Sequence, residues 1–257
     1  MASQPAPDDG TPGTAPYTGP ADPPGLRLQL LDGFALEQDG RPLRVPHSVR
    51  RLLAFLGVRG RCGRPEIAGT LWSDVPDPKA QGRLRTVLWR MHRLADRPLV
   101  TGVDALVLSA GVAVDLRAFV ATARQALRED DRTPAAVPLA TLTVLGELLP
   151  GWRDDWVVFE RERLRQLQMH ALEAMAMRLI AAKRYADAIE SAMAAVRLEP
   201  LRESATRALI SAYLAENNVV EAARHFASFR ERLGGELGLA PTPDLEHLVH
   251  SGLGGHG

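Results

Sequence analysis

Two windows of this sequence repeat each other 34 residues apart, and nothing else in the chain limits its fold as tightly. Ala188, Ala192, Ala195 and Pro200 align with Ala222, Phe226, Phe229 and Gly234. On the preceding helical stretch, Met175 and Leu179 align with Leu209 and Tyr213. A repeat of that length is a pair of helices that cannot bury its apolar face alone and must stack on a neighbour. Alanine at 188 and 222 lets two helices approach closely, while Tyr213 and Phe226 fill the gap to the next pair. Pro200 and Gly234 are expected to follow the end of the second helix in each pair.

The period and the small residue opening the second helix make a tetratricopeptide-like pattern, expected over residues 118–250. A generic helical bundle is the alternative, since two repeats are few. Residues 251–257 read as a flexible end. At the other end, residues 1–25, "MASQPAPDDGTPGTAPYTGPADPPG", hold almost no apolar side chains and cannot offset the entropy of ordering, so a disordered tail is expected. That leaves residues 26–117 for a first domain.

Charge divides along the same lines. The whole chain is formally neutral, with 31 basic and 31 acidic residues. Residues 26–117, however, hold 15 Lys/Arg against 9 Asp/Glu, while the tail is net −3 and residues 118–257 are net −3. A basic excess confined to one domain-sized segment is the electrostatic footprint of a nucleic-acid-binding domain joined to an acidic one.

Within that segment, "LRLQLLDGFALEQDGRPLRV" alternates apolar and polar residues around the turn signal Gln38-Asp39-Gly40, predicting short antiparallel strands. "SVRRLLAFLGVRG" follows as a helix with Ser48 as its expected N-cap. "RPEIAGTLW" is a second helix with Pro65 in its first turn, and a third starts behind Asp77 and Pro78. "LVTGVDALVLSAGVAVDL" then reads as a hairpin turning at Gly102 and Asp104. Strands, three helices and a hairpin make the order of a winged helix-turn-helix, whose third helix faces the major groove. The expected fold class is therefore α+β followed by all-α.

The third helix contains "GRLRTVLWRMHRL", residues 82–94. At 100° per residue, Leu84, Val87, Leu88, Met91 and Leu94 share one face. The other face gathers Arg83, Thr86, Trp89, Arg90 and Arg93, with no acid anywhere in the stretch. A merely solvated face would mix both signs. Arg83, Thr86, Arg90 and Arg93 are the expected DNA-facing set, with Lys79 and Arg85 as phosphate or structural residues. Trp89 has three readings: packing on a sugar or thymine methyl, a partner contact, or satellite core against the hairpin, the last favoured for the area it would bury. Trp152 and Trp156 bracket Asp154 and Asp155 where the long helix of the second half begins. They read as its anchor, with the aspartates at its positive end, in preference to a polymerase-contact patch.

"LLPGWRDDWVVFERERLRQLQMHALEAMAMRLIAAKRYADAIESAMAAVRLEPLRESATRALISAYL" closely resembles the bacterial transcriptional activator domain, and "GELGLAPTPDLEHL" resembles its closing segment. Preceded by a winged-helix domain of the response-regulator type, it resembles the core of the Streptomyces antibiotic regulatory protein family over about residues 26–250. The resemblance implies a transcriptional regulator, usually an activator. Such a protein binds direct repeats upstream of promoters, two copies side by side on double-stranded DNA, and contacts RNA polymerase and its sigma factor. It also implies the small two-domain members, with no ATPase or sensor module. One departure matters: the hairpin carries no Lys or Arg, where wings of the family usually offer one. More of the affinity is then expected from the third helix and from Arg50, Arg51, Arg59, Arg61 and Arg64.

Other chemistries find little support. Cys62 is the single cysteine, which excludes an intramolecular disulfide framework and a cysteine-rich zinc site. The histidines lie at unrelated spacings, no nucleophile sits in a catalytic frame, and no Gly-rich phosphate loop occurs. A non-enzyme without cofactor or metal is expected. No apolar run reaches membrane-spanning length and no leader pattern opens the chain, so the expected location is the cytoplasm, at the nucleoid. Two rivals stay open: a tetratricopeptide-type protein adaptor with weak or lost DNA binding, and a regulator whose helical domain holds a small ligand.

Overall fold

A computed structural model describes residues 25–128, 138–143 and 146–254. The expected tail lies outside these residues except for Gly25. Three strands open the fold: β1 (Leu26–Gln29), β2 (Ala35–Gln38) and β3 (Arg41–Pro42), antiparallel in sequence order. The β2–β3 turn is Asp39-Gly40, with φ of +53° and +76°. Two positive φ values in a two-residue loop give the turn whose twist matches the flanking strands, and Asp-Gly is a favoured pair for it.

Three helices follow: α1 (His47–Arg59), α2 (Arg64–Leu71) and α3 (Asp77–Met91), with β4 (Cys62–Gly63) between the first two. α1 starts one residue before its expected cap, Ser48, and α3 starts at its expected cap, Asp77. The residue before each is a proline, Pro46 at φ −61° and Pro76 at φ −58°. The Pro46 carbonyl accepts from Val49 and Arg50, and that of Pro76 accepts from Lys79 and Ala80. Ser48 and Asp77 therefore lie inside the first turn and cap nothing with their side chains. The ring fixes φ of the residue that precedes each helix, while no side chain of that residue accepts from a first-turn N–H.

The hairpin after α3 is β5 (Val100–Thr101) and β6 (Ala105–Leu108), with β4 added on the other side of β6. Gly102, at φ +108°, would bring a Cβ within 2.0 Å of the Ala105 carbonyl oxygen, so the turn needs glycine there. The last part of the expected hairpin goes elsewhere. β7 (Val112–Val114) pairs in parallel with β1, Leu26 opposite Val112, and closes the first sheet in the order β3-β2-β1-β7. A parallel partner 86 residues away leaves no local signal for a turn-based reading to find.

β7 runs into α4 (Asp115–Arg128), so the expected boundary after residue 117 falls inside that helix. The Asp115 carboxylate accepts from the backbone N–H of Leu30 and Leu31 at 3.0 Å and of Leu116 at 2.6 Å, fastening the end of β1 to the head of α4. Burial nevertheless pushes its pKa upward. The segment before the next long helix is stitched to the same place, with Leu149 N–H donating to the Leu30 carbonyl at 2.8 Å.

Six further helices complete the described fold: α5 (Leu139–Thr143), α6 (Asp155–Ala181), α7 (Tyr185–Leu198), α8 (Glu203–Ala215), α9 (Val219–Leu237) and α10 (Pro243–Gly254). Each of α6 to α9 packs on the next, and α6 with α8 and α8 with α10 also touch. The 34-residue period is carried by the backbone: α6 and α8 end at Ala181 and Ala215, and α7 and α9 start at Tyr185 and Val219. The connections repeat too, with Lys183 and Asn217 at φ +60° and +63°. Ala188, Ala192, Ala195, Ala222, Phe226 and Phe229 are all buried, as the aligned windows require.

Two expectations fail at the far end. Gly234 does not follow α9 but lies within it, and the helix ends at Gly238 in the left-handed conformation. Residues 251–254 belong to α10, where Gly252 packs so closely on Leu214 that a Cβ would fall within 2.6 Å.

Candidate nucleic-acid interface

Helix α3 has two unlike faces. Ala80, Leu84, Val87 and Met91 are buried at spacings of four and three, which seats the helix on the core beside α1 and α2. Leu88 is half-buried at the edge of that face. Lys79, Arg83, Arg85, Thr86, Trp89, Arg90 and Arg93 are all exposed. The structure thus brings the expected α3 residues together on one solvent-facing side.

Their surroundings are sparse in acid. Arg83 meets Asp74 at 3.4 Å, with both side chains well exposed, a pair that contributes little in water. The Thr86 hydroxyl donates to the Gly82 carbonyl at 3.1 Å, inside the helix. Trp89 is 57% exposed, which overturns the satellite-core reading. It lies on the face opposite the core, and the Arg93 guanidinium stacks over its ring at 4.1 Å. That stacking holds a long basic side chain in place without neutralising it.

Arg50 and Arg51 sit apart from this face, on α1. Arg50 donates through Nε to the Val45 carbonyl at 2.9 Å and lies 5.7 Å from the centre of the Phe34 ring. Arg51 donates through Nη2 to Asp154 at 2.5 Å, and at the other end of α1 Arg59 faces Glu160 at 3.5 Å. Phe55 meets Trp156 edge to face at 5.3 Å, while Trp152 stacks near both Phe34 and His47. The tryptophan pair and Asp154 do anchor the start of α6, and the surface they anchor it to is α1.

The hairpin tip has its own basic residue after all, from outside the hairpin. Val103 at the tip is 79% exposed, and its carbonyl accepts from Arg64 Nε at 2.5 Å. The pairing of β4 with β6 is what brings Arg64 there, and only the fold reveals that pairing. Sequence reasoning also missed Arg41 and His92, which line a cleft of about 600 Å³ beside Arg93. The Asp39-Gly40 turn positions Arg41, and a hydrogen bond of 3.0 Å from Gln38 to Asp96 ties that turn to the loop after α3. Among the described residues no group of three or more His, Cys, Asp or Glu could hold a metal ion, and no helix is long and apolar enough to cross a membrane.

Comparison with known proteins agrees with this layout. The family model described as "Bacterial transcriptional activator domain" matches residues 114–251, from β7 into α10. The regulatory protein AfsR of Streptomyces coelicolor is 27% identical over 238 residues, covering 87% of this chain. AfsR of Streptomyces griseus is 27% identical over 252 residues, covering 89%. The chain spans only 24% of the length of either relative. Among solved structures, Mycobacterium tuberculosis EmbR, determined in complex with a low-affinity phosphopeptide, superposes with a TM-score of 0.72 at 22% identity. The match covers 90% of this chain and 65% of that one. It extends the likeness in fold through the strands and helices ahead of the activator domain. Since the family model covers more than half of the sequence and the AfsR likeness runs on through the basic domain, the chain belongs to the Streptomyces antibiotic regulatory protein family.

Proposed function

We propose that this protein is a sequence-specific DNA-binding transcription regulator, an activator that grips repeated promoter sites and draws RNA polymerase and its sigma factor to them. The first domain acts as a winged helix-turn-helix with α3 in the major groove and the β5–β6 hairpin as its wing. The outward face of α3 and of the turn that follows it carries this reading: Lys79, Arg83, Arg85, Arg90 and, in the turn, Arg93 are exposed over an apolar underside, with one long ion pair among them. Arg83, Thr86, Arg90 and Arg93 are assigned to base edges and adjoining phosphates, Lys79 and Arg85 to phosphates. Arg64 serves the wing tip. Arg50, exposed on α1 apart from the α3 face, is kept as an outlying phosphate contact, whereas Arg51 is accounted for by Asp154 and is left out of the DNA set. Trp89 holds Arg93 and offers its free edge to a sugar or a partner protein.

The stacked helices from α6 onward form a tetratricopeptide-like module for contacts with the transcription machinery, and two copies lie side by side on DNA. The protein performs no chemistry, takes no cofactor and works at the nucleoid in the cytoplasm. The test is fluorescence anisotropy with duplexes from the promoters it occupies in its host, titrated against salt. Tight, sequence-dependent binding that falls steeply with salt supports the reading. Equal, weak binding to every duplex would sink it and favour the protein adaptor.

A further inference from the structure

A second cleft plays no part in the DNA reading. It encloses about 500 Å³ where the two halves meet, between the C-terminal end of α1, β6, α4 and α6. Four of its lining residues are arginines, Arg59 from α1, Arg117 and Arg124 from α4 and Arg163 from α6, and none is acidic. Among the described residues a single carboxylate reaches this cluster. Glu160, its side chain 5% exposed, accepts from Arg163 at 2.6 Å and faces Arg59 at 3.5 Å. Arg117 donates to the Leu56 carbonyl at 3.3 Å, which satisfies a helix end but cancels no charge. Among the described residues, four guanidinium groups against one carboxylate leave three positive charges in excess.

The rest of the lining is apolar, with Val58, Val107, Leu116 and Val120 beneath the arginines. A purely structural set of arginines needs no such floor, and an inorganic anion would not use it.

We propose that this cleft binds a phosphorylated small molecule, a phosphate monoester carried on an apolar body. A phosphate dianion supplies three acceptor oxygens to planar guanidinium forks and offsets most of the excess charge, where a carboxylate would offset one unit. The volume lies within the range of small-molecule sites, whose walls combine apolar area with a few convergent polar groups. Because the arginines come from α1, α4 and α6, a ligand held by them bridges the basic domain to the helical one. Arg117 and Arg124 are the residues to test, since both are exposed and neither belongs to the Glu160 cluster.

The experiment is calorimetric titration of the full chain with phenyl phosphate, inorganic phosphate and benzoate at constant ionic strength. Phenyl phosphate is expected to saturate one site and to bind more tightly than either of the others. Arg124→Ala and Arg117→Ala should each weaken it about tenfold, the loss of one charge-assisted hydrogen bond, while Arg83→Ala on α3 leaves it unchanged. Far-ultraviolet circular dichroism of each variant confirms that the fold is retained. The proposal is overturned if phenyl phosphate gives no saturable heat, if all three probes bind alike, or if Arg83→Ala weakens binding as much as Arg124→Ala. It also fails if Arg124→Ala leaves phenyl phosphate binding intact but lowers DNA affinity with a shallower salt slope, because the cleft is then part of the DNA track.

Discussion

Helices α1 and α3 pack against each other in one domain, and each carries three arginines. Those of α3, Arg83, Arg85 and Arg90, look outward past a single exposed aspartate. Those of α1 are turned to the protein: Arg50 to a backbone carbonyl, Arg51 to Asp154 and Arg59 to Glu160. One helix keeps its charge available to an external anion, while two of the other's three arginines meet acids at the start of α6. The same residue type thus stays open to solvent on one helix and serves attachment to α6 on the next. What separates the roles is the presence of acid on the facing element, not any property of the arginines.

Four changes would break or sharpen that contrast. The largest effect belongs to the underside of α3. Leu84→Ala, at a fully buried position, should cost about 2–5 kcal/mol in chemical denaturation and lose DNA binding only as the domain unfolds. Next comes the acid that answers α1. Glu160→Gln leaves Arg59 and Arg163 without their shared carboxylate, and since both are partly exposed the cost should be about 1–3 kcal/mol in unfolding free energy. Unchanged stability there would mean that α1 is not held through its charges.

On the recognition face the effects should move from stability to binding. Arg90→Ala should leave the melting temperature unchanged. It should cost about 1–3 kcal/mol of DNA affinity if the side chain reads a base, or lower the salt slope by about one if it holds a phosphate. An Arg90→Ala protein that binds its own promoter like the parent at physiological salt would remove α3 as the reader. The smallest effect is expected at Arg51→Ala. It should destabilise by about 1 kcal/mol or less, as partly exposed ion pairs do, and leave DNA affinity alone. A loss of affinity with no loss of stability would put Arg51 back among the DNA contacts.

Much of this was readable from spacing. The buried face of α3 follows from its period, and the second half's helix ends fall 34 residues apart because the repeated windows fix which side chains must be inside. What stayed hidden depends on partners remote in sequence. Arg51 and Asp154 are 103 residues apart, and β7 finds β1 across nearly the whole first domain. Trp89 misled for a different reason. Area alone argued for burial, but its place opposite Leu84 and Val87 decides its exposure, and Arg93 covers part of the ring instead. The hairpin's missing charge was likewise a matter of pairing, since Arg64 reaches the tip through β4.

The junction at Val114 and Asp115 has a mechanical consequence. Strand β7 ends at one and α4 begins at the other, with no residue of slack between them. β7 is hydrogen-bonded into the first sheet, and α4 is packed on α6. Torque applied to the helical stack by a bound partner would therefore pass into the sheet under α1 as through a keyed shaft, not be lost in a hinge. If the proposed function holds, two copies bound on DNA would keep their helical stacks at a set angle to the duplex. Changing the spacing between operator repeats by half a helical turn would then point one stack away from the promoter, which a flexible tether would tolerate.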